Sequence, residues 1–122
     1  MSLLTLCFIL ISVFLSVVAQ ILLKNGMSST NVQTALSVDT ITAGISIFTN
    51  ISVVAGLFAY VSSAGIWLLV LSKVDVSKAY PFVGLGFIGT MMFAYWFLDE
   101  PLTINKLIGT TLVLAGVLLI AK

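Results

Sequence analysis

The sequence predicts an all-α membrane protein, a single domain of four transmembrane helices, with a polar stretch between the first and second that admits a short interfacial helix. Three observations predict it. The 122 residues are 61% hydrophobic, with a mean hydropathy of +1.28. Only nine are charged, five Lys and four Asp or Glu, where a soluble domain of this length would carry roughly 30. Those nine are grouped so that the runs between them approach the roughly 20 apolar residues a helix needs to cross a bilayer. So few charges cannot cover a water-facing globule, which excludes a soluble enzyme. The net charge of +1 offers no basic footprint for nucleic acid. With no His and a single Cys, Cys7, there is no metal-ligand set, no disulfide and no Cys/His pair. No cofactor is expected.

The first span is predicted over residues 2–23, an uncharged run closed by Lys24, Asn25 and Gly26. It is longer than the apolar region of a signal peptide, no basic residue precedes it, and it has no clear cleavage site, so it is expected to remain as a span. The second covers 51–72. Lys73 to Lys78 form a short polar turn, making the second and third helices antiparallel neighbours. The third covers 79–98 and is stopped by Asp99–Glu100–Pro101, since proline disfavours helix in the residue before it. The fourth covers 103–121, with Thr103 as N-cap and with Lys106 and Lys122 snorkelling to the two interfaces. Between the first two spans, residues 25–50 are rich in Ser, Thr and Asn. Val38, Ile41, Ile45 and Phe48 fall there on one helical stripe, consistent with an amphipathic interfacial helix or an early extension of the second span. Residues 28–33 read equally as a polar loop. With the N-terminus cytoplasmic, Lys73, Lys78 and Lys122 lie inside against Lys24 and Lys106 outside.

Polar residues inside the spans carry the functional signal. Thr5, Ser12, Ser16 and Gln20 fall within an arc of about 80° on the first helix. Such a stripe either lines a polar cavity or joins helices by hydrogen bonds; Ser12 and Ser16 fit both, and Gln20 fits the cavity. Ser52, Gly56, Ala59 and Ser63 form a small-residue face suited to close helix approach. Tyr60 sits near mid-span with a hydroxyl that needs a partner, while Trp67 reads as an interface anchor. The third helix holds Gly84–Leu85–Gly86–Phe87–Ile88–Gly89, formally G-x-G-x-x-G, but no βαβ unit surrounds it and a dinucleotide site is rejected. Pro81, Gly84, Gly86 and Gly89 instead weaken the helix as a hinge would. Tyr80, Gly84, Phe87, Met91 and Tyr95 share a face suited either to an apolar or sugar-like ligand or to core packing. Gly109, Gly116 and Val117 mark a helix-association surface on the fourth span. No carboxylate lies inside a span, where a proton-coupled cation exporter needs an ionisable group.

Leu15 to Lys24, the Ala79–Tyr80–Pro81 start of the third helix, the Leu98–Asp99–Glu100–Pro101 exit and the glycines of the fourth helix together resemble the drug/metabolite transporter superfamily. Two four-helix branches compete. The small multidrug resistance branch carries a buried Glu eight residues before a Lys; eight before Lys24 stands Ser16, so proton/drug antiport is not implied, although dimerisation through the fourth helix is. The EamA-like branch, which includes subunits of the flippase for aminoarabinose-phosphoundecaprenol, lacks that Glu and resembles residues 16–24 closely, Gln20 included. That resemblance implies a transporter subunit of the bacterial inner membrane. It would move a lipid-linked sugar or similar amphiphile by alternating access, as a homodimer or with a related four-helix subunit. Membrane lipid and that amphiphile are the expected partners. The expected binding residues are Ser12, Ser16, Gln20, Lys24, Tyr60, Ser63, Tyr80 and Tyr95, with Lys24 taking the phosphate and Lys78 second. Two rivals stand beside this reading: a multidrug exporter of small cations, and a non-transporting scaffold subunit.

Overall fold

The computed structural model describes residues 2–121, and among them every regular element is helical. Helix α1 covers Leu3–Met27, α2 Thr30–Leu36, α3 Thr40–Thr49 and α4 Ile51–Leu71. A short α5, Val76–Ala79, passes through a 3₁₀ turn at Tyr80–Phe82 into α6, Val83–Phe97, and α7 covers Ile104–Ala121. Three stretches, Leu3–Met27, Ile51–Leu71 and Val76–Phe97, are long and apolar enough to cross a membrane. The expected fourth span is a shorter apolar helix, Ile104–Leu119 in its fully described part. Lys122, placed above at the end of that span, lies outside the described residues.

Local capping chemistry sets most boundaries. The Ser2 hydroxyl accepts from the Thr5 N–H at 3.2 Å, and Asn50 Oδ1 accepts from the N–H groups of Ser52 and Val53 at 3.0 and 3.1 Å. Thr103 Oγ1 accepts from the Lys106 N–H at 3.2 Å, the N-cap the sequence predicts for α7. The segment after α1 departs from the expected loop or single interfacial helix. It forms two helices, because Ser29 and Asp39 each cap a new start, accepting from the N–H groups of Val32 and Thr42. Of residues 28–33, Ser28 and Ser29 therefore form a brief turn and the rest belong to α2. Val38 falls in the break before Asp39, leaving Ile41, Ile45 and Phe48 exposed on α3.

Two further boundaries move. Helix α1 continues to Met27, a turn beyond Leu23, because its last turn packs against the start of α4: a Cβ on Gly26 would collide with the Val53 side chain and stand 2.8 Å from its nitrogen. The third helix starts earlier than expected, at Val76, since Pro81 sits in the 3₁₀ turn, where its missing N–H disturbs the ladder least. At its far end α6 closes with Asp99 in the left-handed region (φ 54°), a conformation Asp tolerates. The N–H groups of both Leu98 and Glu100 then return to the Ala94 carbonyl, at 3.0 and 3.2 Å. The turn thus rests on Asp99 as well as on Pro101.

Helix α1 is the centre of the packing. It runs antiparallel to α4: Ser12 meets Ser63, and the Leu22 carbonyl accepts from the Ser52 hydroxyl at 2.7 Å. Gly56 makes this approach close, since a Cβ there would stand 3.0 Å from the Leu23 nitrogen and 2.9 Å from its Cγ. On another flank α1 runs parallel to α6, with Val13 and Val17 against Gly86 and Gly89. Helix α7 folds back on α6, where Leu114 occupies the space a Cβ on Gly84 would need. Near the α1 N-terminus, Ile9, Val70 and Ala79 form a buried cluster backed by Phe8, Trp67 and Phe82. Helix α4 shares no extended packing surface with α6 or α7. The space between them is a cleft floored by α1.

Candidate functional site

The cleft has a volume of about 790 Å³, within the usual range for small-molecule sites. Its floor is the polar arc of α1. Val13, whose side chain meets α6, and Ser12, bonded to α4, mark the two edges of that arc, so Ser16 and Gln20 fall between them and face the opening. Gln20 is exposed there, whereas the Ser16 hydroxyl donates to the Val13 carbonyl of its own helix at 2.7 Å. Ser12 is 2% exposed and mainly a fastener. Its hydroxyl donates to the Ser63 carbonyl at 2.9 Å, and the Ser63 hydroxyl donates back to the Ser12 carbonyl at 2.7 Å. Thr5 lies on the same arc but pairs with Ser2 at the helix start and does not reach the cleft. One periodic stripe therefore divides into contact at Ser12 and open wall at Ser16 and Gln20.

The α4 wall presents Tyr60, Ser63 and Trp67, and the opposite wall presents Tyr80, Phe87, Thr90 and Met91. Trp67, expected at an interface, instead packs against the buried Ile9 cluster with one side on the cleft. Tyr60 and Tyr80 are each about half exposed, and both combine an apolar ring with a hydroxyl group. Tyr95 and Lys24 lie outside the walls, Lys24 exposed in the last turn of α1. Lys78 does not line the cleft either. Of the glycines read as a hinge, Gly84 and Gly89 face Leu114 and Val17, and Gly86 borders the cleft. Gly109 and Gly116 have open space where a Cβ would stand, on an exposed side of α7, and Val117 is half-buried.

Two charged wall residues went unselected by sequence reasoning, Glu100 and Lys106, as did the hydroxyl residues Thr90 and Thr110. The first two are the charged side chains of the cleft among the described residues, Glu100 from the α6–α7 turn and Lys106 from the start of α7. Glu100 is partly buried, and Lys106 Nζ donates to the Pro101 carbonyl at 2.8 Å. Each looked like a span boundary, and a terminal lysine ordinarily snorkels. The available signal was that Lys106 stands in the first turn of α7, where the helix dipole disfavours a cation. Among the described residues no three His, Cys, Asp or Glu side chains come together to hold a metal ion. Every buried side-chain N or O among them has a hydrogen-bond partner.

A wall of neutral donors and aromatic faces, open along one flank and charged at one end, suits an amphiphile with a polar head. Comparison with known proteins points the same way. The chain is 38% identical over 73 residues to the probable 4-amino-4-deoxy-L-arabinose-phosphoundecaprenol flippase subunit ArnF of Enterobacter sp. (strain 638), a match covering 57% of each chain. It is 38% identical over 66 residues to the probable subunit ArnE of the same flippase from Pseudomonas fluorescens (strain Pf0-1), covering 54% of this chain and 58% of the relative. The probable ArnF of Erwinia tasmaniensis is 39% identical over 67 residues, 53% of each. The chain thus spans little more than half the length of the curated relatives it matches. No solved structure matches it. The model of the EamA-like transporter family, however, matches residues 3–122, nearly the whole chain, and the chain therefore belongs to that family.

Proposed function

We propose that this protein is a subunit of a membrane transporter that moves a lipid-linked sugar, or a similar amphiphile, across the bacterial inner membrane. The observation that carries the proposal is the cleft: uncharged hydrogen-bonding groups on its floor, aromatic walls, charge at one end, and an open flank between α4 and the α6–α7 pair. A sugar head group needs hydroxyl and amide partners, which Ser16, Gln20, Tyr60 and Tyr80 supply. A polyprenyl tail is far longer than such a cleft and must leave sideways into lipid, which the open flank permits. In this reading α7 is the fourth span, with Lys106 near its start reaching the interface.

A second subunit completes the passage, because one chain leaves the cleft open to its surroundings, and the partner covers part of that opening while the rest stays free for the tail. Gly109, Gly116 and Val117 form the contact, and the partner is another copy or a related four-helix subunit. The two bundles rock about the midplane and expose the cleft alternately, bending at the Tyr80–Phe82 3₁₀ turn beside Pro81. Lys24, outside the cleft wall, yields the phosphate contact to a residue within it.

The test is transport in proteoliposomes of a fluorescent, short-chain prenyl phosphosugar, scored by its accessibility to a membrane-impermeant quencher. The expected result is accelerated exchange between leaflets with the chain alone or with its co-purified partner, reduced by Gln20→Leu. Exchange at the rate of protein-free vesicles in both cases would favour a scaffold role. Proton release on adding small organic cations would instead favour a multidrug exporter.

A further inference from the structure

We infer that Glu100 and Lys106 form a two-charge head-group site in which Lys106 holds the phosphate and Glu100 holds an amino group on the sugar, so that the pair sets specificity. The inference rests on the transport reading above and assigns residues to it. Two opposite charges, Glu100 from the turn before α7 and Lys106 from its first turn, stand in the wall of an otherwise neutral cleft. Neither is needed to end the helices there: the Asp99 conformation and the Ala94 carbonyl close α6, and the Thr103 hydroxyl caps α7.

Lys106 is poorly placed for helix stability and well placed for an anion. It stands in the first turn of α7, so its charge adds to the positive end of that helix. Its Nζ is held by a neutral acceptor, the Pro101 carbonyl at 2.8 Å. An arriving phosphate would replace that carbonyl with a charged acceptor, and charge-assisted bonds of this kind are roughly twice as strong as neutral ones. Glu100, partly buried in the same cleft wall, would lose solvation when the cleft fills and would then need a cationic partner. A head group carrying phosphate and ammonium meets both needs; one carrying phosphate alone leaves the carboxylate unpaired next to an anion. The pair thus selects for a free amine by penalising its absence.

Binding and transport separate this assignment from the reading it rests on. In a Trp96→Phe background, Trp67 in the cleft wall is the remaining tryptophan and reports occupancy by its fluorescence. The probes are a short-chain prenyl phosphosugar with a free amine and its N-acetylated counterpart, titrated into the purified full chain. Lys106→Gln is expected to weaken both probes about tenfold or more, with Lys106→Arg restoring much of the loss. Glu100→Gln is expected to weaken the free-amine probe by a similar factor and to leave the N-acetylated probe unchanged or tighter. Equal losses for both probes in Glu100→Gln, no loss in Lys106→Gln, or no saturable quenching of the parent protein would each overturn the assignment. Binding that follows the expected pattern without leaflet exchange would support the site and count against the flippase reading.

Discussion

Replacing Ser12 and Ser63 with alanine, singly and together, tests how the two longest uninterrupted helices are joined. Each serine has one hydroxyl hydrogen, and each gives it to the other residue's backbone carbonyl, at 2.9 and 2.7 Å. The 3.2 Å contact between the two hydroxyl oxygens then has no hydrogen left to share. Ser12→Ala therefore removes one bond and leaves the Ser63 bond intact, and Ser63→Ala does the reverse. Hydrogen bonds between membrane helices average about 0.6 kcal/mol, with a maximum near 1.7. Each single substitution should cost about that much and the double variant about the sum, with a coupling energy below ~0.5 kcal/mol. The assay is equilibrium unfolding in mixed micelles of mild detergent and increasing dodecyl sulfate, followed by far-ultraviolet circular dichroism. If either single variant loses as much as the double, the link is one hydroxyl-to-hydroxyl bond and the reciprocal geometry is wrong.

Other perturbations reach the rest of the fold. Gly56→Leu should separate α1 from α4, since even its Cβ would stand 2.9 Å from Leu23 Cγ; a loss of about 1–3 kcal/mol in the same unfolding assay is expected. Gly65→Leu, with open space around it, should leave unfolding within about 0.5 kcal/mol of the parent. Thr103→Ala should cost about 1 kcal/mol by removing the α7 cap, and Thr103→Ser should recover most of it. The Thr42 N–H, and then the Thr42 hydroxyl, hold the Asp39 carboxyl below its usual range. A lowered folded value means the α3 cap is fully present above the ordinary carboxylate range and is lost as pH falls through that lowered value. Amide exchange at Thr42 should therefore speed up on acidification, and Asp39→Asn, which caps without titrating, should abolish that dependence. Gly109→Leu with Gly116→Leu should preserve unfolding yet eliminate cross-linked dimers in native membranes; persistent dimers would move the contact off α7.

The sequence alone determined the features whose causes lie within a few residues. A helix in lipid must satisfy its own backbone, so uncharged length marked α1, α4 and α6, and a hydroxyl before an apolar run marked the α7 cap at Thr103. The same local rule explains what was misread between α1 and α4: Ser29 and Asp39 are ordinary caps, but a polar stretch holding several such residues also suits a loop, and only the packing of α2 against α3 selects the helices. Periodicity showed that Ser12, Ser16 and Gln20 share a face, yet it cannot say what that face meets. That depends on which flanks of α1 are taken by α4 and α6. Ser12 lies under one neighbour and becomes a fastener, while Gln20, eight residues along the same arc, stays open. Lys24 and Lys106 look alike as lysines at span ends. Tertiary structure separates them, because α7 folds back beside α6 and carries Lys106 to the cleft, whereas Lys24, exposed in the last turn of α1, does not line it.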